Sequence, residues 1–248
     1  MRKILIYLLL FYVNLYSQES LKLTYTLLND TEVPNMLEAY LILDNKNSKY
    51  YFKQDYTTLK PVKNDSEKFK QFTKVSKKDI DRYFIYDLNS IEELKLLGNV
   101  YVKVIDSVSS QNWIITNETK KIDNYLVTKA TCFFRGHNWE AWFCKELPFP
   151  YGPWKFRGLP GLILEVNDVN KRYNYNLVKI EQKQDDSIEK EILTLLKENP
   201  RVLSTKDFIE KNEEGMINAF NLMFEGRENY KVEPFTRNGI ELKYEWEE

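Results

Sequence analysis

Residues 151–166 read YGPWKFRGLPGLILEV and place three glycines and two prolines beside aromatic and basic residues, just before an apolar run. Pro160 fixes its own φ at about −65° and drives Leu159 toward extended geometry. Gly158 and Gly161 can adopt the positive φ that other residues avoid. The stretch therefore predicts a rigid turn that leads into a strand. The residues assigned to this turn are Gly152, Pro153, Gly158, Leu159, Pro160 and Gly161.

The N-terminus has the features of a secretory signal peptide. Arg2 and Lys3 precede an unbroken apolar run over residues 4–13, and Ser17 supplies a small residue before Gln18. This pattern predicts a signal peptide over residues 1–17, cleaved before Gln18. The alternative, an uncleaved membrane anchor, needs about 20 apolar residues, and no second apolar run follows. We expect an exported protein without a transmembrane span, in the periplasm or cell envelope or outside the cell.

The remaining 231 residues suit a single domain over residues 18–248. Residues 1–17 hold two of the 36 basic residues and no acid, so the mature chain has 34 basic and 37 acidic residues and a net charge of −3. Such a balanced charge gives no reason to expect nucleic-acid binding. The aromatic content is 15%, mostly tyrosine and phenylalanine, which favours strands.

The hydrophobic pattern divides the chain into a β-rich part over residues 21–180, a helical part over 187–226 and a tail over 227–248. Period-two alternation recurs between short polar breaks in the first part, with residues 90–97 as one or two helical turns. Apolar residues at helical spacing predict two helices in the second, the later one starting near Ser204 or Thr205. We expect a mainly β (α+β) fold: a curved antiparallel meander or half-barrel with two C-terminal helices on its concave face. A β-sandwich with appended helices is the alternative.

Cys132 and Cys144 flank a predicted hairpin in a chain that we expect to be exported, where a disulfide could persist. The favoured turn, at residues 135–138, puts the two side chains on opposite faces of the strands. The pattern therefore favours two buried thiols, although a disulfide stays an alternative.

Catalytic constellations are sparse in this sequence. His137 is the only histidine, which excludes two-histidine metal motifs, and it lies in a predicted turn. There is no Gly-x-Ser-x-Gly nucleophile motif and no glycine-rich phosphate loop. Glu140 and Glu146, near two tryptophans, are the candidate acids for a hydrolase, but chance proximity among 37 acidic residues explains them equally well. We assign no catalytic residue, no metal and no cofactor.

The candidate binding residues surround the glycine-rich turn. In the segment W-K-F-R, strand alternation would place the two rings on one face and the two cations on the other, where they could bind an anionic group. The alternative is an edge strand with ordinary solvent-facing charges. The candidate binding residues are Trp139, Trp142, Trp154, Lys155, Phe156 and Arg157.

The segment WEAWFCKELPFPYGPWKFRGLPGLILEV, residues 139–166, resembles the signature of the GLPGLI family, exported proteins common in Bacteroidetes. His137 departs from the pattern, because relatives often have arginine there. The resemblance implies export and a domain of unknown function without a recognised cofactor or catalytic set. Three functions remain open: binding of an apolar ligand or envelope protein, an interaction subunit of an outer-membrane assembly that uses residues 151–157, and a carboxylate-dependent hydrolase.

Overall fold

The computed structural model describes residues 20–31, 35–43, 50–55, 83–86, 90–107, 111–182, 187–224, 236–237 and 239–247. The segment 1–17, on which the export prediction depends, lies outside the described residues. The described strands are β1 (Leu21–Asn29), β2 (Asn35–Leu43), β3 (Tyr50–Asp55), β4 (Tyr83–Tyr86), β5 (Ile91–Leu97), β6 (Val100–Asp106), β7 (Ile114–Ile122), β8 (Tyr125–Phe134), β9 (His137–Cys144), β10 (Leu162–Asp168), β11 (Tyr173–Gln182) and β12 (Val202–Ser204). The helices are α1 (Ser187–Lys197), α2 (Thr205–Phe224) and a 3₁₀ turn (Glu245–Glu247).

The described strands form one sheet in the order β12-β6-β5-β4-β3-β2-β1-β11-β10-β9-β8-β7. It consists of two meanders, β1–β6 and β7–β11, joined where β1 pairs with β11. All these pairs are antiparallel except β12, which lies parallel to β6. The prediction of a mainly β meander is therefore confirmed, and the sandwich alternative is wrong because the strands share a single sheet.

The sheet is strongly curved, and its two meanders approach each other. β6 and β9 are eight strand spacings apart, a distance of roughly 40 Å in a flat sheet. Nevertheless Arg135, in the turn between β8 and β9, places Nη2 2.7 Å from Oδ1 of Asp106 on β6. Since β12 and β7 remain the two edges of the described sheet, the curvature stops short of a closed barrel.

Residues 91–97 are a strand rather than the predicted helical turns. β5 pairs with both β4 and β6, and its inward positions include Glu93 and Lys95 beside Ile91. Glu93 is 1% exposed. Two charged residues on the buried face removed the alternation of apolar and polar residues by which a strand is recognised.

The two helices contact the first meander and its neighbour β12: α1 contacts β3, and α2 contacts β5, β6 and β12. α2 begins where Ser204 Oγ accepts a hydrogen bond from the backbone N–H of Asp207 at 3.0 Å, which confirms the predicted capping position. Phe208, in its first turn, packs with Val102, Val104 and Leu203 over β6 and β12. Among the described residues, neither helix has the length and apolar character needed to cross a membrane.

The middle of the concave face is covered by a loop instead of by the helices. The strands contribute the fully buried Trp139, Phe143 and Tyr175. The segment between β9 and β10 packs against them and joins the same hydrophobic core. This loop contains residues 151–161, the stretch rich in glycine and proline.

Candidate functional site

Residues 150–158 fold back on themselves and form a compact loop, which we call the core loop. The backbone N–H of Gly158 donates to the carbonyl of Pro150, and that of Gly152 to the carbonyl of Phe156, each at 2.9 Å. Trp154 has φ 53°, a left-handed conformation uncommon for a bulky residue. The core loop contains Gly152, Pro153 and Gly158 of the predicted turn residues, and Leu159, Pro160 and Gly161 follow it and lead into β10.

The core loop is anchored by its aromatic side chains. Trp154 and Phe156 are 3% and 1% exposed. The Phe156 ring lies 4.7 Å from Trp139 and 5.1 Å from Trp154, measured between centroids, in edge-to-face geometry. Such pairs stabilise a core by about 1 kcal/mol each beyond the area they bury. Three of the aromatic residues singled out in the sequence, Trp139, Trp154 and Phe156, are therefore part of the core.

The predicted alternation within W-K-F-R is wrong. Trp154 and Lys155 occupy a turn, so both rings and the Lys155 side chain are buried together. Arg157 is half-buried, and its backbone is held by Gln111, which accepts from its N–H at 3.0 Å, and by Trp113, which donates to its carbonyl at 2.9 Å. Trp142, by contrast, lies apart from the core loop with Lys120 Nζ 4.4 Å from its ring centroid.

Lys155 is the centre of a buried ion cluster. Its side chain is 0% exposed. The ammonium lies 2.7 Å from Asp106 Oδ2, 2.7 Å from Glu241 Oε1 and 3.4 Å from Glu93 Oε2. Burial alone would lower the pKa of Lys155, but Glu241, Glu93 and Asp106 raise it above its ordinary value. A permanently charged amine is a poor nucleophile or base, so this lysine organises structure.

Arg135 is the second buried cation of the cluster. It has φ 53° and is followed by Gly136 at φ 85°, the pair of positive angles of a tight hairpin turn. Its guanidinium shares Asp106 with Lys155 and is covered by the Tyr244 ring, with Cζ 4.5 Å from the centroid. Carboxylates of Asp106, Glu241 and Glu245 raise the pKa of Arg135, although its burial opposes this.

A strap, residues 239–247, closes the ion cluster. The backbone N–H of Leu242 donates to the carbonyl of Arg135 at 3.0 Å, and Glu241 reaches inward to Lys155. His137 Nε2 lies 3.4 Å from the carbonyl oxygen of Gly239. The strap therefore joins the β8–β9 turn to the core loop through both backbone and charge.

The Glu241 carboxylate predicts a loss of stability in acid. Burial alone would raise its pKa, but Lys155, Lys95 and Arg135 lower it below its ordinary value. The unfolded chain then binds the proton more readily, so stability is retained above about pH 4.5 and lost as pH falls toward the lower, folded-state pKa. Between about pH 5 and pH 3, thermal melting should show Glu241→Gln losing less stability than the wild type. The exposed Glu146→Gln should keep the wild-type slope. If the stability of the wild type and of Glu241→Gln fell in parallel between about pH 5 and pH 3, the Glu241 carboxylate would not be the source of the acid sensitivity.

A groove of about 770 Å³ lies beside the ion cluster. Phe133 on β8 and Ile114 on β7 line it and are 62% and 68% exposed. Lys243 and Glu245 of the strap and the buried Arg135 also line it. Its remaining lining residues are Gln111, Asn112, Thr131, Cys132, Phe134, Gly136, Asn138, Trp139, Glu140, Val169 and Tyr244. This volume is within the range typical of ligand sites.

Cys132 and Cys144 are free and buried. Cys132 is opposite Trp139 in the β8–β9 ladder, five residues along β9 from Cys144, or about 17 Å. A disulfide requires Cα atoms within about 7 Å, so the alternative of a disulfide is wrong. Burial raises the pKa of the Cys132 thiol to about 12, which keeps it unreactive at neutral pH.

Sequence reasoning identified the core loop and missed the residues that surround it. Asp106, Glu93 and Glu241 lie 49, 62 and 86 positions from Lys155, and no local motif relates them. One signal was available: a lysine between two aromatic residues in a rigid turn is placed to be buried, and a buried lysine requires carboxylates. Two acids outside the ion cluster also have lysine partners: Glu140 pairs with Lys129 at 3.4 Å, and Glu165 pairs with Lys120.

Comparison with solved structures shows a shared fold. The chain is similar to PNGF-II in two structures, in the P21 and C2 space groups, at 19% and 20% sequence identity. Each alignment has a TM-score of 0.50 and covers 79% of this chain, but 34% and 33% of the PNGF-II chains. This chain thus spans about a third of the length of those chains.

No curated protein sequence matches this chain. Part of it does match a known family, over a segment that contains most of the GLPGLI-like signature and both buried cations, Arg135 and Lys155. The match carries another family name, so the GLPGLI name is not confirmed. Residues 135–165 match the family described as a protein of unknown function, Porph_ging.

Proposed function

We propose that this chain is an exported, non-enzymatic binding protein of the cell envelope, and that the groove beside the ion cluster receives a segment of a partner protein. The observation that carries the proposal is the exposure of two large apolar side chains, Phe133 and Ile114, at that groove. Exposed apolar residues that are grouped around a concavity are typical of binding surfaces.

The packing of the interior favours a protein partner over an apolar small ligand. A carrier of acyl chains needs an apolar cavity inside the curved sheet. Here Trp154, Phe156 and Leu159 of the segment after β9 are buried in the concave face. The groove itself is lined by Arg135, Lys243 and other polar residues as well as by rings, a mixture typical of protein interfaces.

The burial of the core loop argues against residues 151–157 as the contact surface of an assembly subunit. An assembly subunit that used residues 151–157 would need them accessible, but Trp154, Lys155 and Phe156 are at most 3% exposed. The hydrolase hypothesis has little support, because Glu140 is paired with Lys129. The groove, formed by β7, β8, β9 and the strap, remains the favoured surface.

Cross-linking in the intact cell envelope tests this proposal. A photo-reactive residue at position 138, which lines the groove, should capture a defined protein, identified by mass spectrometry. Phe133→Ala should weaken that complex about tenfold, because a large apolar anchor is removed. Leu126→Ala is the matched control, since Leu126 lies on the same strand, is 52% exposed and is outside the groove. Equal capture by Phe133→Ala and the wild type would refute the groove as the binding surface.

A further inference from the structure

Arg135 is a buried cation whose donors are incompletely used. Its side chain is 1% exposed, and Nη2 donates to Asp106. Among the residues that the structure describes, Nε and Nη1 have no hydrogen-bond partner. Buried donors are nearly always satisfied in proteins, and a guanidinium supplies five of them in a fixed fork. Two unused nitrogens on a residue that lines a groove therefore indicate an acceptor from outside.

Glu245 of the strap is next to these unused donors. Its Oε1 lies 3.4 Å from Arg135 Nε, at ion-pair distance, without completing a hydrogen bond, and its side chain is 43% exposed. Glu241 is farther from the same nitrogen, at 3.8 Å, and is bound to Lys155. Glu245 is therefore the carboxylate near Arg135 that can leave without disturbing the Lys155 contacts.

The surroundings of Arg135 suit a carboxylate ligand that carries an apolar side chain. The guanidinium is flanked by the rings of Tyr244 and Phe134, with Cζ 4.5 and 5.4 Å from their centroids. Flat, ring-flanked guanidinium groups bind carboxylates in a bidentate manner. Phe133 and Ile114 offer apolar contact in the same groove, and Lys243 adds an exposed cation.

We infer that the groove binds a partner segment through a carboxylate beside an apolar side chain, and that Glu245 occupies the carboxylate position in the unbound protein. This inference rests on the proposed function. Exchange of one carboxylate for another leaves the charge around Arg135 unchanged, so no buried charge loses its compensation. Movement of Tyr244 and Glu245 is required, because they cover the guanidinium. The strap then lowers the apparent affinity by competing for the site.

Three peptides test the inference by calorimetry on the full chain. The first is acetyl-Gly-Ser-Gly-Leu-Phe with a free carboxylate, the second is its amide, and the third is the amide with glutamate in place of serine. Glu245→Gln should bind the first or the third roughly tenfold more tightly than the wild type does, because the competing carboxylate is gone. Glu118→Gln, an exposed acid outside the groove, should leave affinity unchanged. The second peptide, which has no carboxylate, should bind at least about tenfold more weakly than the tighter-binding of the other two.

Tighter binding of the first peptide would identify a chain terminus as the source of the carboxylate, and tighter binding of the third would identify an acidic side chain. The ¹⁵N resonance of Arg135 Nε should shift with the peptide that binds, which locates the contact without altering the cluster. Equal affinity of all three peptides, or no binding to either wild type or Glu245→Gln, would overturn the carboxylate inference. The cross-linking result with Phe133→Ala is independent, so failure of this inference and failure of the proposed function are distinguishable.

Discussion

Replacing Lys155 with methionine should lower the free energy of unfolding by about 3–5 kcal/mol, a large part of the roughly 5–15 kcal/mol by which domains are stable. Methionine has a similar length and packs well, so the loss comes from charge rather than volume. Asp106, Glu241 and Glu93 all lie within 3.4 Å of the ammonium. Without it, three carboxylates remain close together with little access to water. Urea unfolding at neutral pH measures the effect.

Lys179→Met is the matched control for this experiment. Lys179 also pairs with an acid, Glu181, but its side chain is 62% exposed. Surface pairs contribute little, so this variant should stay within about 0.5 kcal/mol of the wild type. The double variant Lys155→Met with Glu241→Gln should be less destabilised than the sum of its parts, by about 1 kcal/mol or more. Strict additivity, or a Lys155→Met protein as stable as Lys179→Met, would contradict the ion cluster as we describe it.

The strands were predictable wherever one face is apolar and the other polar. β1 and β6 follow this rule: Val102 and Val104 are buried on one face of β6, and Lys103 between them is half-buried. β5 broke it, because Glu93 and Lys95 lie on the inner face as members of a charge network that the sequence does not reveal. β12 was missed because three residues are too few to show a period, and its pairing with β6 is parallel and distant in sequence.

The candidate site was predicted in part. The glycines, prolines and rings of residues 151–161 identified a rigid, aromatic-anchored turn from backbone chemistry alone. The role of Lys155 was missed because alternation was applied to residues that form a turn. The groove could not be predicted, since it needs β8, β9 and the strap together. The strap lies about 100 residues from β9, and local pattern carries no information on such contacts.

Substitution of the two turn glycines should lower stability by different amounts, because a different structural constraint requires glycine at each position. Gly158 has φ 91°, as predicted, and a Cβ built there meets nothing within 4 Å. Gly161 lacks the positive φ that the sequence suggested. Its Cβ would instead lie 2.1 Å from the carbonyl oxygen of Cys144 on the neighbouring strand. A backbone atom cannot rotate away, so alanine at position 161 has to separate β10 from β9.

Gly161→Ala should therefore cost at least about 3 kcal/mol of stability. Gly158→Ala should cost about 1–2 kcal/mol, the strain of a left-handed alanine. Gly215→Ala is the control for the loss of glycine itself: Gly215 lies in α2 with nothing within 4 Å of its Cβ position, and alanine should stabilise that helix by up to about 1 kcal/mol. Urea midpoints of the three variants measure this order. If Gly158→Ala proved more damaging than Gly161→Ala, positive φ rather than the close approach of β9 and β10 would be the dominant constraint on the turn.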